Sequence, residues 1–376
     1  MKAESNRSET SSGKHPRQAL FSEVLDCWDR WDDHGRDANA RAALCLEDRY
    51  YLLINVLGRK DAWHPWVYDR CREVEKDPDG FLDIWARGHY KSTIITFAGV
   101  LQEILRNREI TVGIFSHTSG VAKAFLAQIK REAEANTDLR ALFPNVSYDN
   151  PGRDSPSWSL DHGIILKRSS NPKEATVEAH GLVDGQPTSK HYGLMVFDDV
   201  VVEGSVATPE QIEKTTAAWS LADNLGSRQA RKWHVGTRYH FADTYSVILE
   251  RGAATERIYP ATDDGTLTGN PVFLSVAEWN SKKRDQLEST VACQLLANPQ
   301  AGSQRMFDPN DLPMYEVRPQ TLMVYLLCDP AHSLKKSSDD SAFIVVGIDT
   351  GWNKYLLDSV AHKMTLADKW RWLRDL

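Results

Sequence analysis

Along residues 19–59 apolar side chains recur at helical spacing, as in Leu20, Val24, Leu25 and Trp28 and again in Tyr51, Leu52 and Val56. Such a period places them on one face of a helix, so two or three helices are expected before the first strand. A further helix near residues 64–76 is predicted by Pro65 at its start and by the turn Asp77-Pro78-Asp79-Gly80 at its end. Beyond that turn the pattern changes to short apolar runs alternating with longer amphipathic stretches. Strands are predicted over residues 81–86, 111–116, 164–167, 192–197, 232–236 and 257–259, with helices near 92–106, 119–135 and 209–223 joining several of them. A mostly parallel sheet with crossover helices reads this way, so the fold class is α/β. The Pro- and Asp-rich residues 307–320 then read as a linker. A fresh pattern follows: strands at 323–328, 342–348 and 354–357, then a helix from Thr365. Residues 1–16 are polar, cannot bury enough apolar surface to fold, and are expected to form a disordered tail.

A chain of 376 residues suggests two domains, or one large α/β domain with attachments. Hydrophobic residues make up 41% and charged residues 26%, ordinary values for a folded soluble protein with a sizeable core. No stretch approaches the ~18 uninterrupted apolar residues of a membrane helix, and the start lacks the apolar segment of a signal peptide. The five cysteines (Cys27, Cys45, Cys71, Cys293 and Cys328) never form a C-x-x-C pair, which argues against a disulfide framework or zinc site and fits a reducing cytoplasm. The formal net charge of −7 lacks the basic surplus of most nucleic-acid-binding domains, so any DNA contact must be local. The twelve tryptophans are dispersed and read as core and interface filling rather than base-stacking platforms.

Three segments carry candidate chemistry. The first, Trp85-Ala86-Arg87-Gly88-His89-Tyr90-Lys91-Ser92-Thr93, lies after a predicted strand and before a helix. A phosphate-binding loop needs converging backbone N–H groups, a lysine for the β and γ phosphates, and a Ser or Thr hydroxyl on magnesium. Lys91 and Ser92 supply the side chains, whereas Trp85 and Tyr90 stand where the usual G-x-x-x-x-G-K-[ST] has glycine. By itself the segment reads equally as a basic helix N-terminus. The second, Leu194-Met195-Val196-Phe197-Asp198-Asp199, is an apolar strand ending in two carboxylates. In a nucleotide hydrolase the first, Asp198, would hold magnesium through water and the second, Asp199, would polarise the attacking water. An Asp-rich turn is the plainer alternative. The third, Trp233-His234-Val235-Gly236-Thr237-Arg238, runs a strand into a small-polar turn where the Thr237 hydroxyl could sense the γ phosphate, or simply form a turn.

Order, spacing and strand context together make the chain resemble the large terminase subunits of tailed bacteriophages. Their departed phosphate loop, R-G-x-x-K-[ST], is matched by Arg87, Gly88, Lys91 and Ser92. The resemblance runs from about Leu44 to the end, through residues 110–143, Leu139-Arg140-Ala141-Leu142-Phe143-Pro144, residues 177–185, Gly236-Thr237-Arg238 and Gln294-Leu295-Leu296-Ala297-Asn298-Pro299. It implies N-terminal helices over 17–79, a P-loop ATPase of the additional-strand type over 80–306, the 307–320 linker, and the beginning of a ribonuclease-H-like nuclease over 321–376. It further implies ATP and Mg2+ as cofactors and residues 87–93 (Arg87, Gly88, His89, Tyr90, Lys91, Ser92 and Thr93) as the nucleotide cradle. Double-stranded DNA, a portal protein, a small terminase subunit and a homo-oligomeric ring in the host cytoplasm are the implied partners and setting.

The family's second acidic position is commonly Glu and is Asp199 here, a shorter reach. Its transition-state arginine is matched by Arg87, with a neighbouring subunit's Arg153 or Arg168 as the other options. In the expected nuclease, Asp329 matches the first Mg2+ or Mn2+ ligand and Asp339 a further acidic position, the remaining carboxylates being expected beyond Leu376. A helicase-like DNA-dependent ATPase is one rival reading. A non-hydrolysing DNA-binding or scaffold protein with a decayed phosphate loop is another.

Overall fold

The computed structural model describes residues 38–299, 314–331 and 340–375. The expected tail, the helical positions from Leu20 to Trp28, residues 307–313 of the expected linker, Cys27 and Asp339 lie outside the described residues. The chain divides into two compact units, Met1–Ser303 and Gln304–Leu376.

In the first unit the apolar runs become β1 (Phe81–Trp85), β2 (Val112–Ser116), β3 (Trp158–Ser159), β4 (Gly163–Ile164), β5 (Val177–Gly181), β6 (Tyr192–Asp198), β7 (Gly226–Gly236) and β8 (Thr255–Tyr259). They form one sheet in the order β3-β4-β5-β2-β6-β7-β1-β8. The six strands from β5 to β8 in that order run parallel, while β3 and β4 are short antiparallel additions. Successive side chains of a strand face opposite sides, and β6 displays this. Leu194 and Val196 join one buried cluster with Ile114 and Val235, while Met195 and Phe197 join another with Phe115 and Ile84. Both faces are therefore covered, which is why β6 reads as an unbroken apolar run.

The cluster containing Leu194 is closed by the N-terminal helices. Leu52, Leu53, Val67 and Val74 pack there with Ile94, Ile95 and Ile104 from the helical segment after β1. The helix Pro65–Lys76 begins as the sequence predicts, with Pro65 in its first turn and the His64 ring accepting from Trp66 N. Ser119–Ala135 is capped by Thr118, and Pro209–Ala222 by a reciprocal Thr208–Gln211 box. The segment after β1 is wound as a π-helix over Thr93–Gly99 before it tightens into Val100–Arg106.

Two strand expectations are revised. Residues 164–167 contribute only the tail of β4, and β5, absent from the predicted strands, lies beside β2. β5 hides from a hydrophobic reading because it carries Glu178 and His180, whose polarity is satisfied inside the fold. Glu178 accepts from Tyr192 Oη at 2.7 Å and Ala175 N at 2.7 Å and pairs with Lys190 at 2.9 Å. β7 also starts six residues before the predicted strand, its polar first half pairing through Arg231 and Lys232 with Leu194 and Met195.

The second unit is a three-stranded antiparallel sheet of β9 (Met323–Asp329), β10 (Ser341–Ile348) and β11 (Lys354–His362), followed by the helix Leu366–Asp375. The β10–β11 turn is fixed by the Asp349 carboxylate, which accepts from Gly351 N, Asn353 N and Tyr355 Oη. Among the described residues no helix is long and apolar enough to cross a membrane.

Candidate functional site at the sheet edge

β7 lies between β1 and β6, so the C-terminal ends of these three strands stand side by side at one edge of the sheet. That edge gathers all three candidate segments of the first unit. Asp198 is the last residue of β6 and is completely buried, and Asp199 N donates to Val235 O of β7 at 2.8 Å. Asp199 turns the chain with φ at +45°. β7 ends at Gly236, where a Cβ would sit 2.2 Å from the Tyr245 hydroxyl oxygen, so glycine is required there by space. Thr237, the next residue, is 3% exposed.

The loop after β1 reaches this edge from the other side. Trp85, in place of the first loop glycine, is buried edge-on against Trp66 and Tyr259, which suits a core position. Arg87 N donates to Gln294 O at 2.8 Å, and its guanidinium reaches Gln294 Oε1 at 3.3 Å. Gly88 has φ at +81° with open space around its Cα, so conformation rather than crowding selects glycine there. The His89 ring is buried beside Trp66, with Nδ1 3.2 Å from Arg87 O, and burial lowers its pKa to about 4. Tyr90 holds φ at +63° where the common motif has glycine. Beside Trp66 a cavity of about 1170 Å³ is lined by residues including His64, Arg70, Glu73 and Tyr259.

The segments meet through three side-chain contacts. Lys91 Nζ lies 3.1 Å from Asp199 Oδ2, Ser92 Oγ donates to Asp198 Oδ1 at 3.0 Å, and Thr96 Oγ1 donates to Asp198 Oδ2. Thr93 begins the π-wound turns. Burial, with the adjacent Asp199 charge, pushes the Asp198 pKa well above the usual carboxylate range against the pull of Lys91, Thr96 and Ser92. A carboxylate so placed gains most from an added positive charge. Asp199 Oδ1 is buried without a partner, an acceptor left open at the same place. Two hydroxyls and two carboxylates, one of them with an unpartnered oxygen, suit a hard divalent cation that keeps water and phosphate oxygens as its other ligands.

Sequence reasoning named Lys91, Ser92, Asp198 and Asp199, and the fold brings all four together. It missed Thr96, although a hydroxyl four residues after Ser92 shares its helix face. The arginine options differ in position. Arg153 is exposed and pairs with Asp154 at 2.7 Å. Arg168 donates to the carbonyls of Pro172 and Glu174, which precede β5 and so lie toward the opposite edge of the sheet. Asp329, in the second unit, is exposed at the end of β9 opposite Ala342. Among the described residues no three His, Cys, Asp or Glu side chains stand together as a metal cluster.

Order of strands and placement of side chains define a mixed α/β protein whose large, mostly parallel sheet carries a basic loop and an acidic strand end at one edge. No protein-family model matches the chain, and no curated protein matches it. Among solved structures it is similar to the large terminase from a thermophilic bacteriophage, with 15% identity, 79% of this chain and 68% of that one covered, and a TM-score of 0.35. The same phage protein in complex with ADP is 14% identical, with 87% and 72% covered and a TM-score of 0.34. In complex with ATP-gamma-S it is 13% identical, with 87% and 72% covered and a TM-score of 0.35.

Proposed function

We propose that this chain is an ATP hydrolase of the terminase large-subunit type, the motor that moves double-stranded DNA into a procapsid. The observation that carries the reading is the junction of Lys91 with Asp199 and of Ser92 with Asp198 across the ends of β1 and β6. The strand β7 between them supports an ATPase of the additional-strand type, with Thr237 at its exit.

The backbone of residues 87–93 would cradle the phosphates, and Lys91 would neutralise them. Ser92, and Asp198 through water, would hold Mg2+, which would supply charge neutralisation for the phosphates. Phosphate competes with Asp199 for the Lys91 ammonium. Nucleotide binding would therefore draw Lys91 away from its present partner and free the Asp199 carboxylate to orient the attacking water. Arg87, released from Gln294, would meet the charge that develops on the transferred group, and Thr237 would report the loss of the γ phosphate to the segment beyond β7. A ring, a portal protein and a small terminase subunit complete the proposal through the family resemblance. For the second unit we propose the incomplete beginning of a metal-dependent nuclease, in which Asp329 would be the first Mg2+ or Mn2+ ligand and which by itself would cut DNA poorly or not at all.

The test is ATP turnover by the purified chain with Mg2+, with and without double-stranded DNA. Magnesium-dependent hydrolysis stimulated by the duplex supports the motor. Hydrolysis accompanied by strand separation would move the reading to a helicase. Absence of both nucleotide binding and turnover would leave a scaffold.

A further inference from the structure

Tyr90 occupies the loop position directly before Lys91 with φ at +63°, a conformation that carries a steric cost for a residue with a Cβ. Its surroundings hold it there. Tyr90 Oη donates to Asp61 Oδ2 at 2.5 Å. Asp61 is itself gripped by a two-pronged contact from Arg59, Nε to Oδ1 at 3.1 Å and a terminal nitrogen to Oδ2 at 2.9 Å. The Arg59 guanidinium carbon lies 5.8 Å from the centre of the Tyr90 ring, and Phe273 meets the ring edge-on at 5.6 Å. Asp61 sits in the 3-10 turn Lys60–Ala62, which precedes β1 and belongs to none of the three candidate segments.

We propose that Arg59 and Asp61 form a latch that holds Tyr90 in the left-handed conformation and so presents Lys91 to the site, a task that glycine performs without help in the common loop. Asp61 and Arg59 are positioning residues in this scheme and touch no reacting atom. The inference rests on the nucleotide-binding reading of the loop. It explains how a bulky residue is tolerated at a glycine position. It also makes loop geometry depend on the N-terminal segment, so movement of that segment would loosen Lys91. The hydrogen bond to the charged Asp61 carboxylate and the cation over the ring both act on the Tyr90 side chain, and only through it on the backbone.

Backbone strain makes the latch separable from ordinary packing, because Tyr90→Gly removes the need for it. The experiment is a double-mutant cycle of Asp61→Ala with Tyr90→Gly, read as half-saturation of magnesium-dependent ATP turnover and as binding of a fluorescent ATP analogue. Asp61→Ala should weaken nucleotide affinity about tenfold when Tyr90 is present, matching the cost of an unsupported left-handed residue. In the Tyr90→Gly background the same substitution should change affinity by less than about twofold, whatever the level of that background. Tyr90→Phe, which keeps the ring but loses the hydroxyl, should lose affinity as Asp61→Ala does. Equal effects of Asp61→Ala in both backgrounds would overturn the latch, as would full affinity in Asp61→Ala alone. If the unaltered chain neither binds nor hydrolyses ATP, the functional reading fails. The cycle then reads on melting temperature, where Tyr90→Gly should still cancel the Asp61→Ala loss and additive losses would still overturn the latch.

Discussion

Lys91 and Asp199 are 108 residues apart in the chain, and their charged atoms are 3.1 Å apart in the fold. Lys91 is almost enclosed, with 9% of its side chain exposed, while Asp199 keeps 36%. The pair exists because β1 and β6 are both neighbours of β7, so the loop leaving one and the turn leaving the other arrive at the same edge.

Lys91→Ala is expected to lower ATP turnover by at least about a hundred- to a thousandfold, the loss typical when one preorganised charge stabiliser is removed. Nucleotide binding should weaken too, since on this reading the ammonium would meet phosphate charge in the ground state as well as in the transition state. Steady-state hydrolysis and a calorimetric nucleotide titration check both. A surface lysine would instead leave turnover untouched, and that result would remove the loop assignment.

The two neighbouring carboxylates should separate by their losses. Asp199→Asn is expected to keep nucleotide binding nearly intact while turnover falls steeply, because Asp198 still meets Ser92 and Thr96. Asp198→Asn is expected to raise the magnesium needed for half-maximal binding. Titrating nucleotide at fixed magnesium, then magnesium at fixed nucleotide, distinguishes them, and the opposite pattern would exchange their roles.

What the sequence revealed follows from where each residue's partner lies. β6 was readable because both its faces are apolar and its two terminal carboxylates are adjacent in the chain. β5 was not, because its Glu178 and His180 look like surface residues until Tyr192 and Lys190, from the other side of a turn, are seen beside them. The candidate loop was legible in Arg87, Gly88, Lys91 and Ser92, which are local. The support for Tyr90 was not, since Asp61 lies 29 residues away and nothing in its own neighbourhood marks it. The π-wound turn carrying Thr96 to Asp198 was likewise invisible, because helix winding depends on packing rather than on composition.

Glu178 should make the fold sensitive to acid. Burial alone would raise its pKa, but contacts from His180, Lys190, Ala175 N and Tyr192 outweigh it and hold the carboxyl at about 2, below its usual 4.5. A depressed folded-state pKa stabilises the fold above the unfolded value and loses that contribution as pH falls toward the folded one. Urea unfolding of the wild type and of Glu178→Gln should therefore differ most at neutral pH and converge as pH drops from about 4.5 to about 2. A gap that stays constant over that window would show that the carboxylate charge contributes nothing.

β1 positions the loop, and its place in the sheet is secured by a nearly solvent-free charge pair. Asp83 and Arg257 are register partners on β1 and β8, each with 5% of its side chain exposed. Arg257 donates through Nε at 2.6 Å and a terminal nitrogen at 2.8 Å, while Trp85 Nε1 donates to the same carboxylate at 2.9 Å. Arg257 also donates to Asp77 O at 3.2 Å, which ties the pair to the turn that opens the strand. Removing the carboxylate leaves a buried guanidinium with one backbone partner, so Asp83→Ala is expected to destabilise the first unit by about 3–5 kcal/mol. Replacing both residues with apolar side chains of similar volume, as in Asp83→Leu with Arg257→Met, should recover most of that loss, because neither charge then needs a partner. Urea titration monitored by tryptophan fluorescence measures both variants. A loss below about 1 kcal/mol for Asp83→Ala would mean that water reaches the pair and that β1 is held by packing alone.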